Sequence, residues 1–427
     1  MSSRFIKNSG ILLSGNALAQ GLAFAAYLIL LRLFTPDDFG LCNVFFSYTE
    51  VLIILSTCKY EMAVVVASDD KEASTLARLA FRLNRGVSLL LLGVVTIMTL
   101  CRVTVSKLPA ILLFLIPVLV YFTGTNRVYV FLCNRNKEYK QMAAGEVVSV
   151  SSGIVTRILF GLLAPVWQFL HTVGLPVGSV LGKVAGHAYL RHITTKRRHY
   201  YDPHASITRQ ALRQAALKHK NFALYVMPKE LVSSFSANLP LMWLSVYFDK
   251  PLLGLFSLAL TFTQRPVNVL ANTFEKVFYQ STSAKVQESS PIARDVHRFV
   301  LFLTAGTLIG CTLLFLFAEP LFVFLFGQQW IGVGYYVRCL MPWMGILVVT
   351  NSLAFVSNVM GTQHVDFGMQ LVQLLLRATA LYIGIQQNNF QLAVLLFAVV
   401  SAVVQAAQLG WYLFQVYRYD KRIASKR

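Results

Sequence analysis

Apolar runs about as long as a bilayer is thick recur along the whole chain, and they limit its possible folds more than any other feature. A membrane-spanning helix needs roughly 20 mostly apolar residues. Twelve stretches approach this length: 10–31, 40–66, 86–101, 109–131, 143–164, 168–190, 222–246, 252–278, 299–318, 332–358, 366–386 and 390–416. The sequence therefore predicts an all-α polytopic membrane protein, in which each helix satisfies its own backbone hydrogen bonds in lipid. The apolar piece 319–327 is too short to span, so it is interfacial, re-entrant or an extension of the ninth span.

The composition excludes most soluble classes of protein. Hydrophobic residues make up 56% of the chain and charged residues 13%, whereas a soluble domain carries about 25% charged residues. The formal net charge of +20 would indicate a nucleic-acid partner in a soluble protein. In a membrane protein, Lys and Arg concentrate in cytoplasmic loops, so we expect contact with membrane lipids and none with nucleic acid.

Lys and Arg are distributed very unevenly between the two sets of loops. The loops on the side of the N-terminus contain 26 of them, and the opposite loops contain only Arg32, Arg102, Lys107 and Lys250. An even number of spans places both termini on one side of the membrane. The positive-inside rule makes that side the cytoplasm, so both termini are predicted to be cytoplasmic.

A long basic segment divides the spans into two sets of six. We predict an N-terminal six-helix bundle over 1–190, a basic cytoplasmic linker over 191–220 and a C-terminal six-helix bundle over 221–427. A weak similarity between the halves, at an offset of 214 residues, is typical of transporters built from repeated halves. The linker either contacts lipid headgroups or, as we favour, is an ordinary connection that obeys the charge rule.

Polar residues line one face of several predicted spans. They recur at the i, i+3, i+4, i+7 spacing that places side chains on one side of a helix, as Asn43, Ser47 and Glu50 do in the second span. Polar groups in a bilayer are costly and usually face a cavity. The stripes therefore predict a central solvated cavity between the two bundles. Hydrogen bonds between helices, worth about 1 kcal/mol each, are the alternative explanation.

The charged residues within the spans give this predicted cavity a net positive sign. Six cations are expected to contact substrate: Arg157, Arg265, Arg377, Lys59, Lys183 and Arg127. Guanidinium groups suit phosphate, which favours an anionic substrate. Further polar contacts are expected from Asn268, Asn272, Gln373 and Asn238, and coupling to an ion from Glu50 and Glu146. For the cations nearest the cytoplasmic ends, a side chain that reaches up to the membrane surface is the competing interpretation.

Motifs of common catalytic and cofactor sites are absent from the sequence. It contains no Walker A motif, no HExxH, no GxSxG and no glycine-rich dinucleotide loop. The six cysteines show neither CxxC nor paired spacing, so we expect no disulfide and no metal. The expectation is a protein that is not an enzyme and holds no cofactor.

Several motifs, in a fixed order, resemble one family. Arg32 to Gly40 reads Arg-Leu-Phe-Thr-Pro-Asp-Asp-Phe-Gly after the first span, and Tyr60 to Ala63 reads Tyr-Glu-Met-Ala after the second. Later matching segments are 134–140, 235–240, 265–266, 277–279, 326–330 and 342–343. In this order they resemble the polysaccharide (O-antigen, Wzx-type) flippases of the multidrug/oligosaccharidyl-lipid/polysaccharide (MOP) exporter superfamily.

The resemblance implies twelve helices in two bundles and a transport function. The implied substrate is an undecaprenyl-pyrophosphate-linked oligosaccharide, moved from the cytoplasmic to the periplasmic leaflet of a bacterial inner membrane for O-antigen and lipopolysaccharide biosynthesis. Alternating access, a cationic lumen, H⁺ or Na⁺ counterflow and a polysaccharide polymerase partner are implied with it. We transfer the lumen role to Arg157, Arg265, Arg377 and Lys59. Lys59 stands where the family usually has Arg, and it lacks the guanidinium fork.

Two other functions are alternatives. A drug or organic-cation antiporter of the same superfamily would be expected to carry an acidic residue in its first helix, and residues 10–31 contain none. A membrane polysaccharide polymerase, ligase or glycosyltransferase would be expected to have acidic motifs and longer outer loops than this sequence provides.

Overall fold

The chain is built from helices throughout the part that the structure describes. The structure is a computed structural model that describes residues 21–22, 24–102, 108–196, 208–288 and 290–424, and these ranges contain no strand. The N-terminal helices are α1 (Phe24–Leu33), α2 (Pro36–Ser56), α3 (Tyr60–Val66), α4 (Asp70–Leu100), α5 (Ala110–Arg135), α6 (Tyr139–Leu163), α7 (Phe169–Lys196) and α8 (Arg209–Lys218). A π-helix at Phe222–Val226 is followed by α9 (Met227–Tyr247), α10 (Lys250–Gln287), α11 (Ala293–Phe326), α12 (Val333–Ser352), α13 (Phe355–Met360), α14 (Gln363–Gln386) and α15 (Phe390–Ala424).

Eight described helices are long and apolar enough to cross a membrane, namely α2, α4, α5, α6, α11, α12 with its extension to Ser357, α14 and α15. Helices α7, α9 and α10 coincide with three further predicted spans, but their polar residues lower their mean hydropathy. Most of the first predicted span, 10–31, lies outside the described residues, and α1 is its described end. The predicted all-α polytopic membrane fold is confirmed.

The turn before α2 is fixed by a local capping arrangement. Thr35 is the N-cap, and its hydroxyl accepts from the backbone N–H of Asp38 at 3.4 Å. The Asp38 carboxylate accepts in return from the backbone N–H of Thr35 at 2.8 Å. Pro36 occupies the first helical turn, where its missing N–H costs nothing. The same carboxylate lies 3.1 Å from Nδ1 of His171 and so connects the start of α2 to α7.

The second predicted span is not one continuous helix, and in this the prediction over 40–66 was wrong. Helix α2 ends at Ser56, and α3 begins at Tyr60. Between them, Cys58 and Lys59 adopt positive φ angles of 49° and 62°. This left-handed conformation costs roughly 1–2 kcal/mol per residue in non-glycine residues. No Gly or Pro marks the break, so the apolar pattern runs through it unchanged.

Two other helices are longer than predicted. Helix α11 continues through Pro320 to Phe326, so the short apolar piece 319–327 is an extension of the ninth span. Helix α4 begins at Asp70, well before the predicted start at 86, and its N-cap Asp69 accepts from the backbone N–H of Glu72 at 2.7 Å. The polar segment from Asp70 to the start of the predicted span therefore belongs to the same helix as the span.

The chain separates into two compact units, Met1–Asn238 and Leu239–Arg427. In the first unit, α8 buries Leu212 and Ala215, and the Tyr60 hydroxyl donates to the carbonyl oxygen of Ala216 at 3.1 Å. The predicted linker over 191–220 thus contains a helix that packs on the N-terminal unit, while its residues 197–207 lie outside the described part of the chain. The predicted domain boundaries themselves remain a prediction.

An ionic cluster holds the end of α8 to the start of α4. Glu72 lies 2.6 Å from Nζ of Lys218 and 3.0 Å from Nε2 of His219, and it also accepts from the backbone N–H of Ser68 at 2.8 Å. The hydrogen bond from Lys218, with those from Ser68 and His219, lowers the pKa of Glu72 to about 2. Glu72 is therefore ionised at neutral pH and holds the helix in place.

Candidate substrate-contact residues

The polar stripe of α2 ends in an exposed carboxylate. Asn43 donates to the carbonyl of Phe39 at 2.9 Å, and the Ser47 hydroxyl donates to the carbonyl of Asn43 at 2.8 Å. Glu50, on the same face, is exposed and accepts a hydrogen bond from Nδ2 of Asn238 in α9 at 3.2 Å. The structure therefore brings together two predicted site residues, a carboxylate and an amide, that lie 188 positions apart.

Lys59 is buried and forms an ion pair with an acid of α9. Its Nζ contacts the carboxylate of Glu230, whose side chain is 42% exposed. An uncompensated charge in this position would cost several kcal/mol, so the pair stabilises the left-handed turn that begins α3. The carboxylate of Glu230 thus neutralises the positive charge of Lys59, which the sequence predicts to contact substrate.

Arg157 lies where α7 packs closely against α6. Its Nη2 donates to the hydroxyl of Ser179, and the side chain is half-buried. A Cβ added to Gly178 would lie 2.4 Å from Cγ of Arg157, so the glycine provides the space for the arginine stem. At Gly182, an added Cβ would lie 2.5 Å from the carbonyl oxygen of Ser149. The Gly-rich face of α7 is thus the close-packing surface that GxxxG spacing predicts.

Three further predicted residues, Arg127 in α5, Glu146 in α6 and Lys183 in α7, are half-buried in the same unit. Nδ2 of Asn126 donates to the backbone carbonyl of Lys183 at 2.9 Å and so connects α5 to α7 beside Arg127. Within the described ranges, none of the three charges forms an ion pair. They stay available to a polar ligand.

Helix α10 presents its polar stripe at the surface of the second unit. Arg265 and Asn268 are exposed, although they lie in the middle of a predicted span. Of the six predicted cations, all of which are described, Arg265 alone is exposed. Exposed charge at this depth faces water or protein far more often than lipid. Asn272 follows on the same helix, but its side chain lies outside the described residues.

Arg377 lies in a polar seam between α14 and α15. It is 4% exposed, and its Nε donates to the hydroxyl of Ser401 at 2.8 Å. The guanidinium carbon lies 4.9 Å from the ring centroids of both Trp343 and Phe397. Two aromatic faces and a hydroxyl therefore stabilise this charge inside the unit.

The same seam contains buried amides with unused hydrogen-bonding capacity. Gln373 is 8% exposed and Gln405 is 7% exposed. Nε2 of Gln373 and Oε1 of Gln405 have no hydrogen-bond partner among the described residues. Buried polar atoms of this kind are normally satisfied by water or a ligand. The seam is thus polar inside a unit whose outer surface is apolar.

Sequence reasoning missed the partners that decide the role of each cation. Glu230 lies within the predicted span 222–246, but no spacing rule connects it to Lys59, 171 positions earlier. Trp343 and Phe397 looked like ordinary apolar residues of their spans. Polar residues recur at helical spacing on α15 (Ser401, Gln405 and Gln408), and this is the signal that the sequence offers, since Ser401 meets Arg377 of α14.

A multi-pass helical fold with polar stripes on otherwise apolar spans is the architecture of a membrane transporter. A family model described as polysaccharide biosynthesis protein matches residues 29–334. The match covers more than half of the chain, so the chain belongs to this family, and the resemblance predicted from its motifs is confirmed.

A known relative resembles this chain in sequence, and solved structures resemble it in fold. The succinoglycan biosynthesis transport protein ExoT of Rhizobium meliloti (strain 1021) is 23% identical over 408 residues, which cover 94% of this chain and 77% of that protein. Among solved structures, an inward-facing multidrug resistance MATE family transporter of the MOP superfamily has a TM-score of 0.68 at 13% identity, covering 94% of this chain and 96% of that one. The lipid II flippase MurJ in an inward closed conformation has a TM-score of 0.70 at 12% identity, with coverages of 96% and 90%. At these identities the likeness shows a common fold.

Proposed function

We propose that the protein is a flippase for undecaprenyl-pyrophosphate-linked oligosaccharides, which it moves from the cytoplasmic to the periplasmic leaflet of the inner membrane by alternating access. Family membership supports a role in polysaccharide biosynthesis, and the name of the ExoT relative supports transport rather than catalysis. The observation that carries the proposal is the exposed polar face of α10, with Arg265 and Asn268 in the middle of a span.

The chemistry of this face suits a glycolipid. A guanidinium group binds two phosphate oxygens at once through its planar fork, so Arg265 is the proposed contact for the pyrophosphate. The amide of Asn268 can both donate to and accept from a sugar hydroxyl. In the first unit, Arg127, Arg157 and Lys183 are half-buried and are proposed as secondary contacts, whereas Lys59 and Arg377 are the weakest candidates because both are buried with partners.

Substitution of Arg265 tests the proposal. In a strain that lacks the chromosomal gene, Arg265→Ala is expected to abolish surface polysaccharide while the abundance of the protein in the membrane stays normal. Arg265→Lys keeps the charge without the fork and is expected to restore part of the polysaccharide. Arg418→Ala, at an exposed position near the end of α15, is the matched control and should behave as the wild type. Normal surface polysaccharide in Arg265→Ala would count against Arg265 as a substrate ligand.

Coupling to H⁺ or Na⁺ is proposed for Glu50, because it is an exposed carboxylate beside the amide of Asn238. Glu146 is the second candidate for coupling. In vesicles with an imposed proton or sodium gradient, Glu50→Gln should remove the dependence of transport on the gradient.

A polysaccharide polymerase is the proposed partner that acts on the transported glycolipid. Loss of drug resistance with normal polysaccharide, after deletion of the gene, would instead favour a drug antiporter.

A further inference from the structure

An apolar groove runs along the outside of the second unit, between α11 and α12. On α11 its wall includes Thr304, Leu308 and Thr312, and on α12 it includes Met341, Gly345 and Val349. The residues recur every three or four positions, so each helix contributes one continuous stripe. The groove has a volume of about 440 Å³.

The groove opens outwards, away from the core of the unit. Leu308 is 66% exposed, and Phe315, which also lines the groove, is 49% exposed. Gly345 leaves space at the base of the groove, since it has no side chain and an added Cβ there would lie 3.3 Å from Sγ of Cys311. Its lining is apolar and exposed, so a flexible hydrocarbon chain is the chemistry that fits it.

A cation stands at one end of the groove. Arg338 lies one turn before Met341 on the same face of α12, and its Nε donates to the carbonyl oxygen of Phe315 at 3.2 Å. This bond places the guanidinium group over the end of the apolar wall. Among the described residues, its two terminal nitrogens have no hydrogen-bond acceptor, and Arg338 forms no ion pair there.

Glu319, the acidic residue nearest to Phe315 along the chain, already accepts hydrogen bonds from other groups. Both carboxylate oxygens of Glu319 accept from backbone amides at the start of α12, from Gly332 at 2.5 Å and from Gly334 at 2.8 Å. Glu319 therefore satisfies the N-terminus of α12, where a negative charge is favourable. Among the described residues, the positive charge of Arg338 therefore has no acidic partner.

The length of the groove matches one leaflet. From Arg338 to Val349 the helix rises by about 16 Å at 1.5 Å per residue. The hydrocarbon core of a bilayer is about 30 Å thick, so one leaflet is roughly half of that. A lipid phosphate at Arg338 would allow one acyl chain to lie along the whole groove.

We propose that this groove is a binding site for an anionic phospholipid of the bilayer, with its phosphate on Arg338 and one acyl chain between α11 and α12. The charge complementarity selects an anionic over a zwitterionic headgroup, because a second positive group in the lipid would meet the guanidinium. The site lies on the outer surface of one unit and does not depend on the proposed transport of glycolipid.

The test measures lipid binding to the purified full-length protein in detergent. Dioleoylphosphatidylglycerol and dioleoylphosphatidylcholine are titrated while the melting temperature and the lipid-bound species in native mass spectra are recorded. Phosphatidylglycerol should bind and stabilise the wild type more than phosphatidylcholine. Arg338→Gln should weaken phosphatidylglycerol binding about tenfold or more, since it removes a charge-assisted hydrogen bond to the phosphate.

Two more variants keep the test decisive if Arg338→Gln fails to fold. Arg338→Lys keeps the charge and should retain most of the preference for phosphatidylglycerol. Thr312→Phe fills the exposed part of the groove without changing any charge, and it should also weaken binding. Arg418→Gln removes an exposed charge near the other end of the unit and should bind as the wild type does.

Three results would overturn the proposal. The first is equal binding of the two phospholipids by the wild type. The second is unchanged phosphatidylglycerol binding in both Arg338→Gln and Thr312→Phe. The third is binding of undecaprenyl phosphate, and not of phosphatidylglycerol, that depends on Arg338, which would assign the groove to a prenyl lipid. Polysaccharide export in each variant is measured separately, so failure of the flippase proposal remains distinguishable.

Discussion

Arg377 illustrates how a single residue can look like a ligand in the sequence and have a different environment in the fold. Its position on the stripe of α14 with Gln373 predicts a cavity-facing cation. In the structure it is 4% exposed, bonded to Ser401 and held between two aromatic rings. The stripe is real, but it faces α15 within the same unit. Arg265 has the opposite environment, because its side chain is exposed.

Arg377→Lys is expected to destabilise the protein by roughly 1–2 kcal/mol. A lysine keeps the charge, but it cannot stack a planar group on Trp343 and also donate sideways to Ser401. Thermal unfolding of the purified protein in detergent measures the loss. Arg265→Lys, at an exposed position, should unfold at the wild-type temperature. A wild-type melting temperature for Arg377→Lys would contradict the importance of the stacked geometry.

At the scale of helices, local chemistry and close packing determine where the elements begin, break and meet. The Thr35–Asp38 capping box and Pro36 start α2 through contacts within a single turn of chain. The break at Cys58 and Lys59 has no local cause of this kind, because the pair with Glu230 that stabilises it comes from a distant helix. The spacing of the glycines in α7 predicts a close contact with another helix, but it does not identify α6 as the partner.

Gly182→Ala is expected to lower the stability of the protein by roughly 1–3 kcal/mol, the usual cost of overpacking. The added Cβ would lie 2.5 Å from the carbonyl oxygen of Ser149 and 2.9 Å from Cα of Gly153, and backbone atoms cannot rotate away. Melting temperature and membrane yield are the measurements. The control is Gly93→Ala in α4, where no described atom lies within 4 Å of the added Cβ. Equal stability of the two variants would refute close packing at Gly182.

At the scale of the whole molecule, the charge distribution carries the most information. The 26 basic residues in one set of loops predict the orientation without any knowledge of packing. Described helices overlap every predicted span from the second onwards, although two of them, α2 and α3, share the span 40–66. The family match confirms the class of protein. The orientation itself and the inner-membrane location remain predictions.

Reporter fusions measure that orientation. Green fluorescent protein fused after Arg427 is expected to be fluorescent, because the C-terminus is predicted to be cytoplasmic. Alkaline phosphatase at the same position should be inactive. The same reporters inserted after Lys250, in an opposite loop, should give the reverse pattern. An active phosphatase at the C-terminus would show that the number of spans, or the orientation, is wrong.

The sequence alone determined the class of fold, which segments of the chain form most of the long helices, and the presence of polar stripes. It could do so because these depend on hydrophobic length and helical period, both of which are set by residues close in the chain. Only the tertiary structure decided which stripe residues are exposed and which are paired. Burial, the Lys59–Glu230 pair and the rings around Arg377 involve residues far apart in the chain, and no local pattern records which helices meet.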